Sequence, residues 1–222
     1  MSERPDIGRL AIWVLFAASI SALNFVAYAS TSAVNSANES LFRWSFATGN
    51  AVFLCVWIAI SLAISNRRPE IRALRRPRIA PAAAAGLGFL ALAASYVANL
   101  FVTSLGGKPA REQGLLNEHW QSGRLAPFVA SVIVLTVLTP IAEELFVRGL
   151  GFALFQPFGQ AAAMTIPALG WALMHGLPAA IFPLFVFGIG LGYLRQRSDS
   201  VIPGMIVHGL YNGLAVALAY TL

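Results

Sequence analysis

Charge is scarce in this chain. Its 222 residues include nine Asp and Glu and fifteen Lys and Arg, 11% of the total. A soluble globular domain carries about 25%, so an ordinary water-soluble domain is excluded. Cysteine is scarcer still. Cys55 stands alone, which excludes an intramolecular disulfide, and its apolar setting reads as that of a small buried hydrophobe. No His-Glu-x-x-His spacing occurs to favour a zinc protease. No internal repeat or low-complexity tract is present. A transporter or proton relay built from matched broken helices in two similar halves is therefore disfavoured.

What the chain does have is apolar length. It is 58% hydrophobic, with a mean hydropathy of +0.71. A membrane-spanning helix needs about 20 largely apolar residues. Runs 10–29, 47–64, 79–105 and 125–142 meet or approach that length, followed by 145–158, 161–174, 176–194 and 201–222. The expectation is an all-α, polytopic transmembrane helical bundle of about eight helical segments. The run from Leu10 lacks a cleavage-site pattern followed by a soluble domain, and reads as a retained span. Ala82 to Ala85, after Pro81, reads as a tight helix-packing surface.

The net charge of +6 has a topological reading. Six arginines fall within "NRRPEIRALRRPR", residues 66–78, between two apolar runs. A short basic loop beside spans is the positive-inside signal, which outweighs nucleic-acid binding and is compatible with anionic lipid headgroups. On that basis the N-terminus and the 66–78 loop are cytoplasmic, and the 106–124 loop faces out. Glu143 and Glu144 then arrive near the cytoplasmic end of the fourth helix. Eight full crossings would put "RQRSDS", residues 195–200, outside despite Arg195 and Arg197.

Between Leu125 and Leu194 the only charged residues are Glu143, Glu144 and Arg148. An ionisable group inside the bilayer costs about 2.5–3.5 kcal/mol or more unless paired or hydrated, so these mark a functional or strongly structural site. Glu144 and Arg148 are four apart and share a helix face. Glu143 is rotated about 100° away and lacks a local partner. The spacing thus makes Glu144 and Arg148 structural and leaves Glu143 available. Pro140 is expected to kink the helix or begin a new one, with Thr139 as its N-cap.

Two histidines lie in the same apolar half. Trp171 and His175 are four apart in "WALMH", and His208 and Asn212 are four apart in "HGLYN". A carboxylate and a histidine can activate water. A second histidine and an amide can donate to an oxyanion. The same groups, Glu143, His175 and His208, could instead bind a divalent metal such as zinc.

"EELFVRG", "WALMH" and "HGLYN" resemble, in order and spacing, the three motifs of the CPBP (CAAX protease and bacteriocin-processing, or Abi) intramembrane proteases, which include type II CAAX prenyl endopeptidases. The resemblance covers roughly residues 125–222, and makes that stretch the protease core, with 1–124 as N-terminal transmembrane helices and loops. It implies a site inside the bilayer that opens toward the cytoplasm. It also implies that Glu143 and His175 activate the attacking water, that His208 and Asn212 form the oxyanion site, and that Glu144 and Arg148 hold the constellation together. Trp171 stands where the family usually has Phe, which implies a modest change in pocket shape without loss of chemistry. The family carries a metalloprotease label, and neither a metal-free reaction nor a zinc ion is settled by these residues. The expected partners are the lipid bilayer and a peptide or protein substrate at the membrane. The expected location is a cell membrane, in particular a bacterial inner membrane. A non-enzymatic partner-binding or bacteriocin-immunity protein on the same fold is the competing reading, with the 106–124 loop as its natural partner surface.

Overall fold

The computed structural model describes residues 5–30, 40–65, 68, 73–112 and 120–221. Parts of the two predicted loops, 66–67, 69–72 and 113–119, lie outside the described residues. Among the described residues, seven helical rods make up the bundle: α1 (Ile7–Ser30), α2 (Trp44–Ile64), α3 (Pro81–Ser104), α4 (Leu125–Phe158), α5 (Gln160–Met174), α6 (Ile181–Ser198) and α7 (Ile202–Thr221). Among the described residues there is no strand. Six of the rods are long and apolar enough to cross a membrane; α5, with 15 residues, is shorter. The chain is an all-helical, multi-pass membrane protein.

Runs 125–142 and 145–158, expected as two segments, are one rod. The backbone stays helical through Leu138, Thr139 and Glu144. Thr139 is therefore not an N-cap. Pro140 is absorbed by widening the helix: residues Val134–Leu138 form a π turn, and the Thr139 N–H reaches the Val134 carbonyl five residues back. A second π stretch, Leu145–Gly151, follows the glutamates. The side chains from Ala142 to Phe152 are buried without interruption. A helical stretch enclosed on every side is a core element, and 142–152 is that part of α4, whose earlier turns expose Val129, Ile133 and Val137.

The merger resolves the expected conflict over residues 195–200. With seven rods, that loop lands at the same end as the arginine-rich segment. The Arg78 N–H donates to Ser198 O at 2.8 Å, and Ser200 Oγ donates to Arg75 O at 2.6 Å. Asp199 ends α6 in the left-handed conformation, φ 54°. Its carboxylate meets Arg75, Arg78 and Arg195 at 2.5, 2.9 and 3.1 Å.

Helix packing relies on small residues. On α3, Gly88, Ala91, Ser95 and Ala98 form the buried stripe, which lets backbones approach closely. A Cβ at Gly190 of α6 would stand 2.5 Å from the Ala91 Cβ. Of the alanine patch expected to pack, only Ala84 meets the core; Ala82, Ala83 and Ala85 face outward, one turn before the stripe begins. Cys55 also faces outward on α2, not into the bundle. The core crosses residue 124. Trp13 of α1 stacks on Phe146 of α4 with ring centres 5.2 Å apart, and Trp57 of α2 meets the same ring edge-on.

Asp199→Ala should lower the thermal stability of detergent-purified protein by about 1–3 kcal/mol. Most of that loss comes from the buried Arg195, because Arg75 and Arg78 are exposed and screened. Asp199→Gly should recover up to about 1 kcal/mol of it, since glycine accepts the left-handed backbone without strain.

Candidate active site

Glu144 and Arg148 sit one turn apart on α4, 0% and 2% exposed. Arg148 NH1 donates to Glu144 Oε1 at 2.8 Å, and NH2 donates to the Gly188 carbonyl of α6 at 3.2 Å. The helical-wheel pairing is thus present. Glu144 has a second task that spacing did not reveal. His208 Nδ1 lies 3.1 Å from the same Oε1. The ring nitrogen facing that carboxylate carries its proton there, which leaves Nε2 directed to Glu143, 3.8 Å from its Oε2. The other oxygen of Glu144, Oε2, is buried without a hydrogen bond. It faces Gly204, where an added Cβ would approach it to 2.9 Å.

Glu143 points the other way. The Trp171 indole N–H donates to Glu143 Oε2. Trp171 also contacts both histidines edge-on, with ring centres 4.7 Å from His175 and 5.3 Å from His208. The Arg148 guanidinium carbon lies 4.8 Å from the indole centre. The indole therefore does more than reshape the pocket, because a phenylalanine has no N–H to offer Glu143. His175 closes α5, and its Nδ1 is 2.8 Å from the Trp171 carbonyl four residues back. A carbonyl only accepts, so Nδ1 bears the hydrogen and Nε2 keeps its lone pair.

Glu143, Trp171, His175, His208 and Asn212 all line one cavity of about 490 Å³. Glu144 and Arg148 lie behind it, outside the lining. Asn212 reaches the site with one amide hydrogen already used, donated to Leu135 O at 2.9 Å. That carbonyl belongs to the first π turn. In the second, Trp13 Nε1 takes Phe146 O at 2.9 Å and Arg195 Nε takes Arg148 O at 3.2 Å. Side chains from other helices thus satisfy backbone groups in both widened stretches, which are common next to functional sites.

The metal alternative needs Glu143, His175 and His208 to converge. Among the described residues, no three His, Cys, Asp or Glu side chains are placed to hold a metal ion together. The arrangement does not fit a three-ligand metal centre.

Residues 125–214 match the family model described as type II CAAX prenyl endopeptidase Rce1-like. This segment is similar to the Rce1-like family. It holds all seven residues singled out from the motifs, and the family is one of CAAX-type proteases. No curated protein and no solved structure matches the chain. The Rce1-like segment does not enclose its cavity alone. Asn24 of α1, Asn50 and Trp57 of α2, and Glu112 from the connection between α3 and α4 complete the wall. Asn24 Nδ2 donates to Met174 O at 2.6 Å, and Gly176 turns at φ 65° directly against the Asn24 backbone. Glu112 accepts from the Ala179 and Ala180 N–H groups ahead of α6 at 2.7 and 3.2 Å. Sequence reasoning missed these residues. The available signal was a lone asparagine inside each of two apolar runs.

Two near-isosteric substitutions should separate the adjacent glutamates. Glu144→Gln is expected to cost about 3–5 kcal/mol, because it leaves a buried guanidinium unpaired. Glu143→Gln keeps an oxygen for the indole N–H and should cost no more than about 1–2 kcal/mol. Thermal unfolding of the purified variants in detergent measures both.

Proposed function

We propose that the protein is an intramembrane endopeptidase that hydrolyses a peptide bond of a membrane-associated substrate, using water activated by Glu143 and His175. One observation carries this reading. Of the two adjacent glutamates, Glu144 is consumed by Arg148 and His208, while Glu143 faces the cavity beside two histidines.

The chemistry follows from the hydrogen-bond directions. His175 Nε2 is a free acceptor, and Glu143 retains an oxygen beyond the one facing Trp171. A water held between them gives up its proton as its oxygen attacks the substrate carbonyl carbon. The carbonyl π electrons move to oxygen. The resulting oxyanion is assigned to the second amide hydrogen of Asn212 and to His208 Nε2 when that ring is an imidazolium, both residues lining the same cavity. Collapse of the tetrahedral intermediate expels the amine, which takes the proton from the base pair. Glu144 acts through His208 and does not touch substrate. No step is routed through a metal. CAAX-like C-termini and other membrane-bound peptides belong to the same substrate class.

The test is cleavage of a candidate peptide by purified protein. Glu143→Gln and His175→Ala should each lower kcat/KM by about 10²–10⁴ with an intact fold. Full activity in the Glu143 variant would refute the assignment. A cellular phenotype that survives in an inactive Glu143 variant would favour the partner-binding or immunity reading. Cleavage should also persist after exhaustive chelation; loss of activity that zinc restores would demand a different reaction.

A further inference from the structure

The cavity and the arginine-rich segments occupy opposite ends of the bundle. Successive rods run antiparallel, so each reaches the cavity with a different part of its length. On α1 the lining residues are Ile20 and Asn24, toward its C-terminus; on α2 they run from Phe46 to Trp57, toward its N-terminus. On α5 they lie in the last turn, and on α7 they extend from His208 to Ala219. Ser40, Leu41 and Glu112 finish the wall at the far end. Among the described residues, nothing in 58–80, 144–170 or 185–207 takes part. Those intervals contain the other end, where Asp199 clasps Arg75, Arg78 and Arg195.

Charge divides along the same line. At the Asp199 end, segment 66–78 has six Arg against Glu70, and 195–200 has two Arg against Asp199. At the cavity end, 106–124 has Lys108, Arg111 and Arg124 against Glu112 and Glu118, and 31–43 has Arg43 against Glu39. The basic excess thus sits almost wholly at the end away from the cavity. Short loops rich in arginine stay on the cytoplasmic side. The two orientations expected from sequence, cytoplasmic arginines and a cytoplasm-facing site, cannot both hold in this fold.

We infer that the arginine end is cytoplasmic, that the cavity opens to the opposite, extracytoplasmic side, and that the substrate is a membrane-anchored peptide presenting its scissile bond there. The substrate assignment rests on the endopeptidase reading; the sidedness does not. The wall suits an extended apolar segment, with Phe46, Phe53, Leu54 and Trp57 along α2; Asn24 and Asn50 each give one amide hydrogen to a protein carbonyl, Met174 O and Phe46 O, and keep the second. A lipidated C-terminus confined to the cytosol would meet the arginine-bearing end, away from the cavity lining.

Two measurements test this in bacterial cells expressing the full chain. In a Cys55→Ser background, Ala215→Cys and Leu41→Cys place a thiol in the cavity wall, and Arg76→Cys places one at the basic end. A membrane-impermeant maleimide should label either cavity thiol at least tenfold more in spheroplasts than in inverted vesicles, with Arg76→Cys giving the reverse. The opposite pattern overturns the sidedness. The second measurement co-expresses single-span reporters carrying an apolar linker at either the extracytoplasmic or the cytoplasmic membrane boundary. Wild type should cleave the first at least tenfold more than the second, and Glu143→Gln neither. Preference for the cytoplasmic linker overturns the substrate class. Cleavage of neither, with labelling as expected, overturns the endopeptidase reading and the substrate class together, and leaves the sidedness standing.

Discussion

Arg148 is a guanidinium enclosed in the middle of an apolar bundle, and the protein is organised around keeping it paired. Its charge is met by Glu144 one turn earlier, its second amino group by the Gly188 carbonyl, and its flat face by the Trp171 ring. An isolated charge at that depth would cost several kcal/mol, and the pair tolerates burial only because hydrogen bonds from three helices complete it. Once Glu144 is committed to Arg148, its remaining capacity at Oε1 goes to His208, which ties α7 to the same point. One ion pair thus fixes the mutual positions of α4, α5, α6 and α7.

Enclosing that pair requires a stretch of helix with no outward face, and residues 142–152 of α4 supply it. Two widened stretches flank the glutamates, Val134–Leu138 before and Leu145–Gly151 after. The first absorbs Pro140 without breaking the rod. Both leave carbonyls that side chains from α1, α6 and α7 take up. The irregular backbone is therefore part of how neighbouring helices are bound, and how Asn212 comes to line the same cavity as Glu143. Trp171 links the structural pair to the reactive face, with Arg148 against its ring, Glu143 on its N–H and both histidines at its edges.

The N-terminal helices are part of this arrangement even though no motif marks them. Trp13 plugs the second π stretch and Asn24 holds the last turn of α5, so the position of His175 depends on α1. Glu112 secures the backbone ahead of α6 from the connection between α3 and α4. The family match begins at residue 125, yet the cavity wall begins at Ile20.

The amino-acid sequence by itself determined the class of the fold and the short roll of candidate residues. Composition with long continuous apolar runs demands helices in a membrane, because the backbone in lipid is satisfied only by helices or closed barrels, and barrel strands alternate apolar with polar residues. The four-residue spacing of Glu144 and Arg148 determined their pairing, since helix geometry brings such residues together whatever surrounds them. Other features depended on contacts between distant segments. Whether Pro140 breaks a helix or is absorbed, and hence whether there are eight segments or seven, turned on a π turn that no local pattern announces. That His208 leans on Glu144, that the indole of Trp171 serves Glu143, and that Asn24 and Asn50 face the same space as the histidines were decided only by tertiary packing. So was the end at which the cavity lies, because antiparallel rods bring together residues whose depth in the bilayer depends on the direction and start of each helix.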